Sequence, residues 1–207
     1  MSESTLTADS EALQEWSGTL FTGNRVRLRE LRDSDLPALC SWWNTPEQAV
    51  LQQDRITLRP PESIASQFAA WSKNDAPTGF GYSITDTDGS LAGHVSAWGI
   101  SMPERIATMA VVIGPDFQNR GIGREALRLA LRLAFDELGA HKVELQTWSY
   151  NRRAIHLYTA LGFTTEGCRR AAVYHRGEFH DQILFGLLAE EYSALNAAQN
   201  PKESTAP

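Results

Sequence analysis

Strand and helix periodicities alternate unevenly along this chain and predict an α+β fold with a mixed central sheet. Three observations lead there. Period-two stretches recur from residue 26 to residue 187. Two helical stretches separate the first strand from the second, so the order is not the regular βαβ repetition of a doubly wound fold. The 207 residues are 42% hydrophobic, which supplies a sizeable core.

Taken in order, Val26, Leu28 and Glu30 alternate with Arg25, Arg27 and Arg29, as in a half-exposed strand. Asp33-Ser34-Asp35 offers a helix cap before Leu36, Leu39, Trp42 and Trp43. Pro60-Pro61-Glu62 opens a second helix with Ile64, Phe68 and Trp71 on one face, closed near Lys73-Asn74. Residues 80–85 and 91–98 read as a hairpin around Asp86-Thr87-Asp88-Gly89. Residues 108–113 form a short apolar strand stopped by Gly114-Pro115. A long helix follows, with Leu127, Leu131, Ala134 and Leu138 at helical spacing and Gly139 at its end. Residues 142–148 are another strand, and 152–161 a short helix ended by Gly162. The last two strands, near 170–174 and 182–187, flank a turn at Arg176-Gly177. One domain is expected over residues 21–195, between a polar extension (1–20) and a frayed tail (196–207). Leu13, Trp16 and Leu20 can line one face of a short helix in that extension.

Lys and Arg number 19 against 25 Asp and Glu, a net charge of −6. That balance repels phosphate backbones and argues against general nucleic-acid binding, while leaving room for a local basic patch that holds one anion. The first 24 residues contain no Lys or Arg, so no secretory leader is expected. Residues 127–138 are interrupted by Arg128, Arg132, Asp136 and Glu137 and cannot span a bilayer. The cytoplasm is the expected location. Cys40 and Cys168 have no metal-ligand spacing and read as buried thiols, and no metal is expected.

The most informative stretch is Gln118-Asn119-Arg120-Gly121-Ile122-Gly123-Arg124, between an apolar strand and an amphipathic helix. Its glycines permit a tight turn and close approach of a ligand to the backbone. The helix start offers unpaired N–H groups and partial positive charge, a site suited to a diphosphate. A glycine turn that merely joins strand to helix fits the same residues. The dinucleotide fingerprint does not fit, because the loop comes after several elements and the next strand does not end in an acidic residue. No Gly-Lys-Ser/Thr is present for a P-loop.

Gln118-x-x-Gly121-x-Gly123 resembles the acetyl-coenzyme A signature of the GNAT acetyltransferase superfamily. Three further motifs follow its order. Val26-Arg27-Leu28-Arg29-Glu30-Leu31 with Asp35-Leu36 and Trp42-Trp43 resembles the opening of the RimJ/RimL-like branch, named for enzymes that acetylate N-termini of ribosomal proteins. Asn151-x-x-Ala154-Ile155-x-x-Tyr158-x-x-Leu161-Gly162-Phe163 resembles the superfamily's second cofactor motif. Gly177-Glu178-Phe179-x-Asp181 with Leu184-Phe185-x-Leu187-Leu188 resembles the branch's closing hairpin. Together they span about residues 25–190.

The resemblance implies a fold in which strands 108–113 and 142–148 splay apart, with helices flanking the sheet. The pantetheine arm of acetyl-CoA would lie between them against the backbone of Val111, Val112 and Ile113. An N–H there would hold the oxyanion of the tetrahedral intermediate. The loop from Gln118 through Asn119, Arg120, Gly121, Ile122, Gly123 and Arg124 would hold the pyrophosphate. Asn151 matches the cofactor asparagine and equally suits a helix N-cap. Tyr158 matches the tyrosine that protonates the leaving thiolate, a residue RimJ/RimL-like members often lack, and packing on an apolar helix face is its alternative.

The base is less defined. The position five before Asn151 is Gln146, which takes no proton; Glu144 lies two residues earlier on the same strand face, as a base or as a paired strand glutamate. Asp181 and Trp43 are the candidates for acceptor contact, with Trp42 and Trp71 as further cleft walls. His175 and His180 lack a third ligand and read as solvent-facing. The resemblance therefore implies an acetyl-CoA-dependent N-acetyltransferase. Its acceptor is a protein N-terminus or a small amine. A larger acyl donor and a non-catalytic acyl-CoA sensor are the alternatives. A homodimer is expected at the level of the family.

Overall fold

Seven strands form one sheet: β1 (Val26–Arg29), β2 (Gly79–Asp86), β3 (Leu91–Trp98), β4 (Ile106–Ile113), β5 (Lys142–Trp148), β6 (Thr164–His175) and β7 (Glu178–Leu188). Their order is β1-β2-β3-β4-β5-β7-β6. Every neighbouring pair is antiparallel except β4 and β5. This computed structural model describes residues 3–199. The helices are α1 (Glu3–Thr19), α2 (Leu36–Asn44), α3 (Pro46–Gln52), α4 (Pro61–Trp71), α5 (Ile122–Arg132), α6 (Arg152–Ala160) and α7 (Ala189–Gln199). The mixed α+β architecture anticipated from the periodicity is the one found.

The sheet separates two apolar layers. The larger buries Leu127, Ala130, Leu131 and Ala134 of the α5 segment against Val95, Ala97, Met109, Val143 and Leu145 of the strands. The stripe at i, i+3, i+4 and i+7 faces the sheet, while Arg124 and Arg128 stay exposed. The smaller layer, on the other side of β3, joins Leu39 and Cys40 of α2 to Ile64 and Phe68 of α4. Trp43, Phe68 and Trp71 meet edge to face there, with centroids 5.4–5.8 Å apart.

Several elements differ from expectation. α3 was not anticipated: a seven-residue helix is too short to show a period, although Pro46 at its first turn is a start signal. The extension before residue 21 is largely helical. Leu20 is buried and Trp16 packs on the main core, while Leu13 is 64% exposed. The closing strands are twice as long as expected, and α7 runs past residue 196 to Gln199; the remainder of the expected tail, 200–207, lies outside the described residues. The long helix ends in a π-turn over Leu133–Glu137. Cys168 is exposed, not buried, because the β6 edge faces solvent. No helix among the described residues is long and apolar enough to cross a membrane.

The largest correction concerns Asp35. It stands at the N-cap position of α2 but makes no side-chain cap bond to that helix; its carboxylate is buried at 3% exposure and serves other donors. Arg29 on β1 donates two bonds to it, at 2.7 and 2.8 Å; Ser83 on β2 donates at 2.7 Å and the Arg32 amide at 3.0 Å. Burial alone would raise its pKa. The donors, led by Arg29, more than offset that and hold the carboxyl below the usual carboxylate range. Losing one partner of such a pair leaves a buried charge unmatched. Asp35→Asn is therefore expected to cost about 3 kcal/mol or more, read as a lower urea midpoint at unchanged m-value. Because the native pKa is depressed, the wild-type contribution is present at neutral pH and lost as pH falls through that lowered value. The stability gap between wild type and variant should therefore narrow in acid; a constant gap from pH 7 to pH 3 would count against the pair.

Candidate active site

The parallel register of β4 and β5 contains three pairs, Ile106 with Lys142, Ala107 with Val143 and Thr108 with Glu144. Beyond them each strand keeps only its outer neighbour. β4 pairs with β3 through Ile113, and β5 with β7 through Trp148. The facing edges of residues 109–113 and 145–148 thus have no strand partner, and unpaired edge groups are a template for an extended ligand. A cavity of about 1090 Å³ opens along this gap.

α3 crosses the far end of the gap. Gln48 Nε2 donates to the Ile113 carbonyl (3.3 Å), Tyr150 Oη to the Val50 carbonyl (2.6 Å), and Asn151 Nδ2 to the Leu51 carbonyl (3.4 Å). The short helix missed in the sequence therefore ties together the ends of the two diverging strands.

The glycine loop borders the same cavity through Gln118, Asn119, Gly121, Gly123 and Arg124. Gly121, just before α5, has φ +80°, and Asn119 has φ +59°, so the chain turns through two left-handed residues before the helix. A Cβ on Gly123 would come 3.3 Å from Ile113 Cγ1, so the helix start is packed closely on β4. Glu125 anchors this end: its oxygens accept from the Asn24 amide (2.6 Å) and the Arg25 amide (2.8 Å). Gln118 donates to the Ile113 carbonyl (3.0 Å) and accepts from Arg153. Arg124 and Arg153 both line the cavity here. Arg120 and Ile122 do not border it, contrary to expectation: Arg120 points to solvent and Ile122 is buried in the core, because the left-handed turn at Gly121 directs alternate residues away.

Across the gap, Val111, Val112, Ile113, Asn151 and Tyr158 all line the cavity. Asn151 caps α6, accepting from the Ala154 amide at 3.1 Å. Tyr158 is 7% exposed, edge-on to Phe185 with centroids 5.5 Å apart. Its burial pushes the phenol up to about 12. Among the described residues nothing hydrogen-bonds its hydroxyl.

The opposite wall carries aromatic residues beside Asp54, Arg55 and Arg59. Trp43 and Trp71 contribute, as expected for cleft walls, whereas Trp42 packs beside Gly114 instead. His94 is a site residue that the sequence reading missed. It is 1% exposed, its Nε2 is 2.8 Å from Ser72 Oγ, and burial lowers its pKa to about 4 despite the pull of Asp35. It pairs with Val112 across β3 and β4. The signal was its parity: His94, Ser96 and Trp98 alternate on one side of β3, and all three line the cavity.

Glu144 does not reach the site. It stands at the last β4–β5 pair, where the sheet is still closed, and binds Lys142 Nζ at 2.8 Å; Lys142 also holds Glu166 at 2.7 Å. Gln146, one step further along β5, is in the wall instead. Asp181 is likewise outside the wall. Its carboxylate accepts from the Ala171 amide (2.9 Å) and holds a β6 bulge where Ala171 has φ +51°. That bulge brings Ala172 to the cavity, so Asp181 acts on the site's shape from behind. His175 and His180 pack against the Tyr150 ring, and the Nε2 of His175 is buried without a partner, so His175 is not solvent-facing. Among the described residues no group of three potential metal ligands occurs.

A gap between two splayed strands beside a glycine loop at a helix start is the arrangement that the resemblance to the acetyltransferases implies. The family model of the acetyltransferase (GNAT) domain matches residues 25–164, and the chain belongs to that family. It is an N-acetyltransferase that uses acetyl-CoA as co-substrate. Among its relatives, the SPbeta prophage-derived uncharacterized N-acetyltransferase YokL of Bacillus subtilis is 24% identical, covering 84% of this chain and 96% of that protein. The spermidine N(1)-acetyltransferase of Escherichia coli is 30% identical, and the match covers 54% of this chain and 60% of that enzyme. The structure of spermidine N-acetyltransferase from Vibrio cholerae in complex with CoA and spermine shares the fold. Its TM-score is 0.73 at 23% identity, and the match covers 83% of this chain and 99% of that one.

Gly121→Asp should abolish measurable binding of acetyl-CoA. It places an L side chain at φ +80° and a negative charge at the loop. Calorimetry on both proteins checks this, and equal affinities would remove the loop from the cofactor site.

Proposed function

We propose that the acceptor is a small primary amine or a free α-amine, entering between the sheet and the α2–α4 layer and attacking the thioester carbonyl directly. The amine nitrogen forms the C–N bond as the carbonyl electrons move onto oxygen, where a backbone N–H of residues 111–113 holds the oxyanion. Collapse breaks the C–S bond, and the proton lost by nitrogen ends on the coenzyme A sulfur by way of Tyr158. The catalytic domain in this reading spans residues 21–195, since β6 and β7 complete the sheet beyond the matched segment. Asn119, Gly121, Gly123 and Arg124 hold the pyrophosphate, and Asn151 touches the cofactor arm while capping α6. A homo-oligomer belongs to the same reading, supported by the dodecameric spermidine N-acetyltransferase from Vibrio cholerae.

The observation that carries this proposal is Tyr158: a buried phenol in the cavity wall whose hydroxyl has no partner among the described residues. A phenol raised to about 12 keeps its proton throughout the working range. It lies about 3.5 units above an ordinary thiol near 8.5, so it works as a hydrogen-bond donor to the developing thiolate and passes on a proton only as it regains one from the amine. His94, neutral near pH 7 and part of the opposite wall, presents a polar surface that does not repel the incoming amine.

Tyr158→Phe should lower kcat roughly 10²-fold with little change in acetyl-CoA affinity. For the wild type, activity should rise with pH as the acceptor amine deprotonates, and should not decline below about pH 10 on account of Tyr158. A descending limb between pH 8 and pH 10 that vanishes in the phenylalanine variant would contradict the raised phenol.

The acceptor must also arrive neutral, because Glu144 is engaged elsewhere and Gln146 takes no proton. An α-amine with a pKa near 7.7–8.0 has about several hundredfold more neutral form at pH 7 than a lysine near 10.4. In a competition between a peptide with a free N-terminus and blocked lysine and its reverse, the first should be acetylated faster. Preference for the lysine peptide would require a base not identified among these residues.

A further inference from the structure

We infer that the acceptor carries an oxyanion on the same molecule as its amine, and that Arg59 is the residue that selects it; this rests on the acceptor side assigned above. The charges in the wall point that way. Glu144 and Asp181, the carboxylates expected near the cleft, do not line it. The one carboxylate that does is Asp54, exposed in the segment between α3 and α4, next to Arg55 and near Arg59. Arg124 and Arg153 lie with the glycine loop, whereas Arg59 stands on the α2–α4 side, away from it.

Arg59 is built into place without a counter-ion. Its amide donates to Asn44 Oδ1 at 3.0 Å, and its carbonyl accepts from Asn44 Nδ2 at 2.8 Å. Its guanidinium donates to Ser63 Oγ at 2.8 Å and to Gln67 Oε1, both on α4. Neither partner is charged, and among the described residues no carboxylate lies within ion-pair distance of it. A guanidinium has five N–H donors, and these bonds leave at least two of them for a ligand. The side chain is half-buried and lines the cavity, so the arrangement holds a fixed positive charge with single N–H donors of the kind that bind a carboxylate or phosphonate oxygen.

A second observation agrees. Trp43, adjacent in sequence to Asn44, lines the cavity, and its Nε1 is buried with no hydrogen-bond partner. That unmet group is a donor. A polyamine brings only donors and positive charge, so it meets the wrong complement at Arg59 and Trp43; an amine bearing an oxyanion brings acceptors and negative charge. The tryptophans leave an apolar surface for the body between the two ends.

The test is calorimetric binding to the CoA-loaded protein, with matched probes: phenylalanine, its aminophosphonate analogue, phenethylamine and spermidine, with leucine and isopentylamine as a second matched pair. The oxyanion-bearing member of each pair should bind about tenfold or more tightly than its decarboxylated partner, in line with a charge-assisted pair. The ranking of phenylalanine against the phosphonate separates the two oxyanion sources. In Arg59→Gln the ratio within each pair should fall towards one, and Arg59→Lys should restore it only in part. A ratio within one protein is insensitive to the fraction folded. The inference is overturned if phenethylamine or spermidine binds the wild type as well as phenylalanine. It also fails if Arg59→Gln weakens both members equally, or if no oxyanion-bearing probe binds measurably. If the ratio behaves as expected and yet acetyl-CoA transfers no acetyl group to the bound amines, the anion subsite stands and the acceptor reading of this side fails on its own.

Discussion

Pairing between β4 and β5 stops at Thr108 and Glu144, and the rest of the site follows from that limit. A parallel pair extended to Ile113 and Trp148 would consume the backbone groups that an extended ligand needs. Because β3 holds β4 from Thr108 to Ile113 and β7 holds β5 from Lys142 to Trp148, the divergence opens a gap without loosening the sheet. The ends of the gap are fixed by different means. At the near end the last pair closes it; at the far end α3 bridges Ile113, Tyr150 and Asn151. A gap bounded in this way leaves strand-edge groups free while both of its ends are tied to neighbouring elements.

Around this gap the chain places its buried polar groups with compensation. Asp35 has three donors besides burial, and it ties β1 and β2 together beneath α2, next to the strand that carries His94. Glu125 joins the start of α5 to the entry of β1 through two backbone amides, so the glycine loop is anchored from behind. Asp181 fixes the β6 bulge that presents Ala172. In each case a carboxylate that sequence alone offers as a cap, a charge or an acceptor contact is spent on geometry. That leaves the cavity poor in negative charge although the protein as a whole carries a net charge of −6.

The chemistry is correspondingly economical. A buried phenol stays protonated, a buried imidazole stays neutral, and the wall between them is aromatic or amide in character. Burial drives both titrations away from neutrality: it raises the pKa of an acid whose charged form is negative and lowers that of a base whose charged form is positive. The site therefore keeps its charges for the two ends, Arg124 and Arg153 beside the glycine loop and Arg59 with Asp54 and Arg55 before α4.

Much of this was readable in the residues themselves. Strand 142–148 coincides with β5, the α5 stripe is visible as Leu127, Leu131 and Ala134, and four motifs in order place the glycine loop, Asn151 and Tyr158 where one cavity gathers them. Such features are local: periodicity, turn residues and motif spacing act over a few neighbours and survive in a linear reading. What the tertiary structure alone decided depends on partners far apart in the chain. Glu144 and Gln146 share a strand face, and only the point at which β4 leaves β5 makes one an ion-paired residue and the other a wall residue. His94 reads as an ordinary strand residue until α4 brings Ser72 and Trp71 against it. Asp35 resembles a cap until β1 and β2 supply Arg29 and Ser83 from 6 and 48 positions away. Burial and pairing set the charge state of such groups, and both are properties of the packed chain, which no short window of sequence contains.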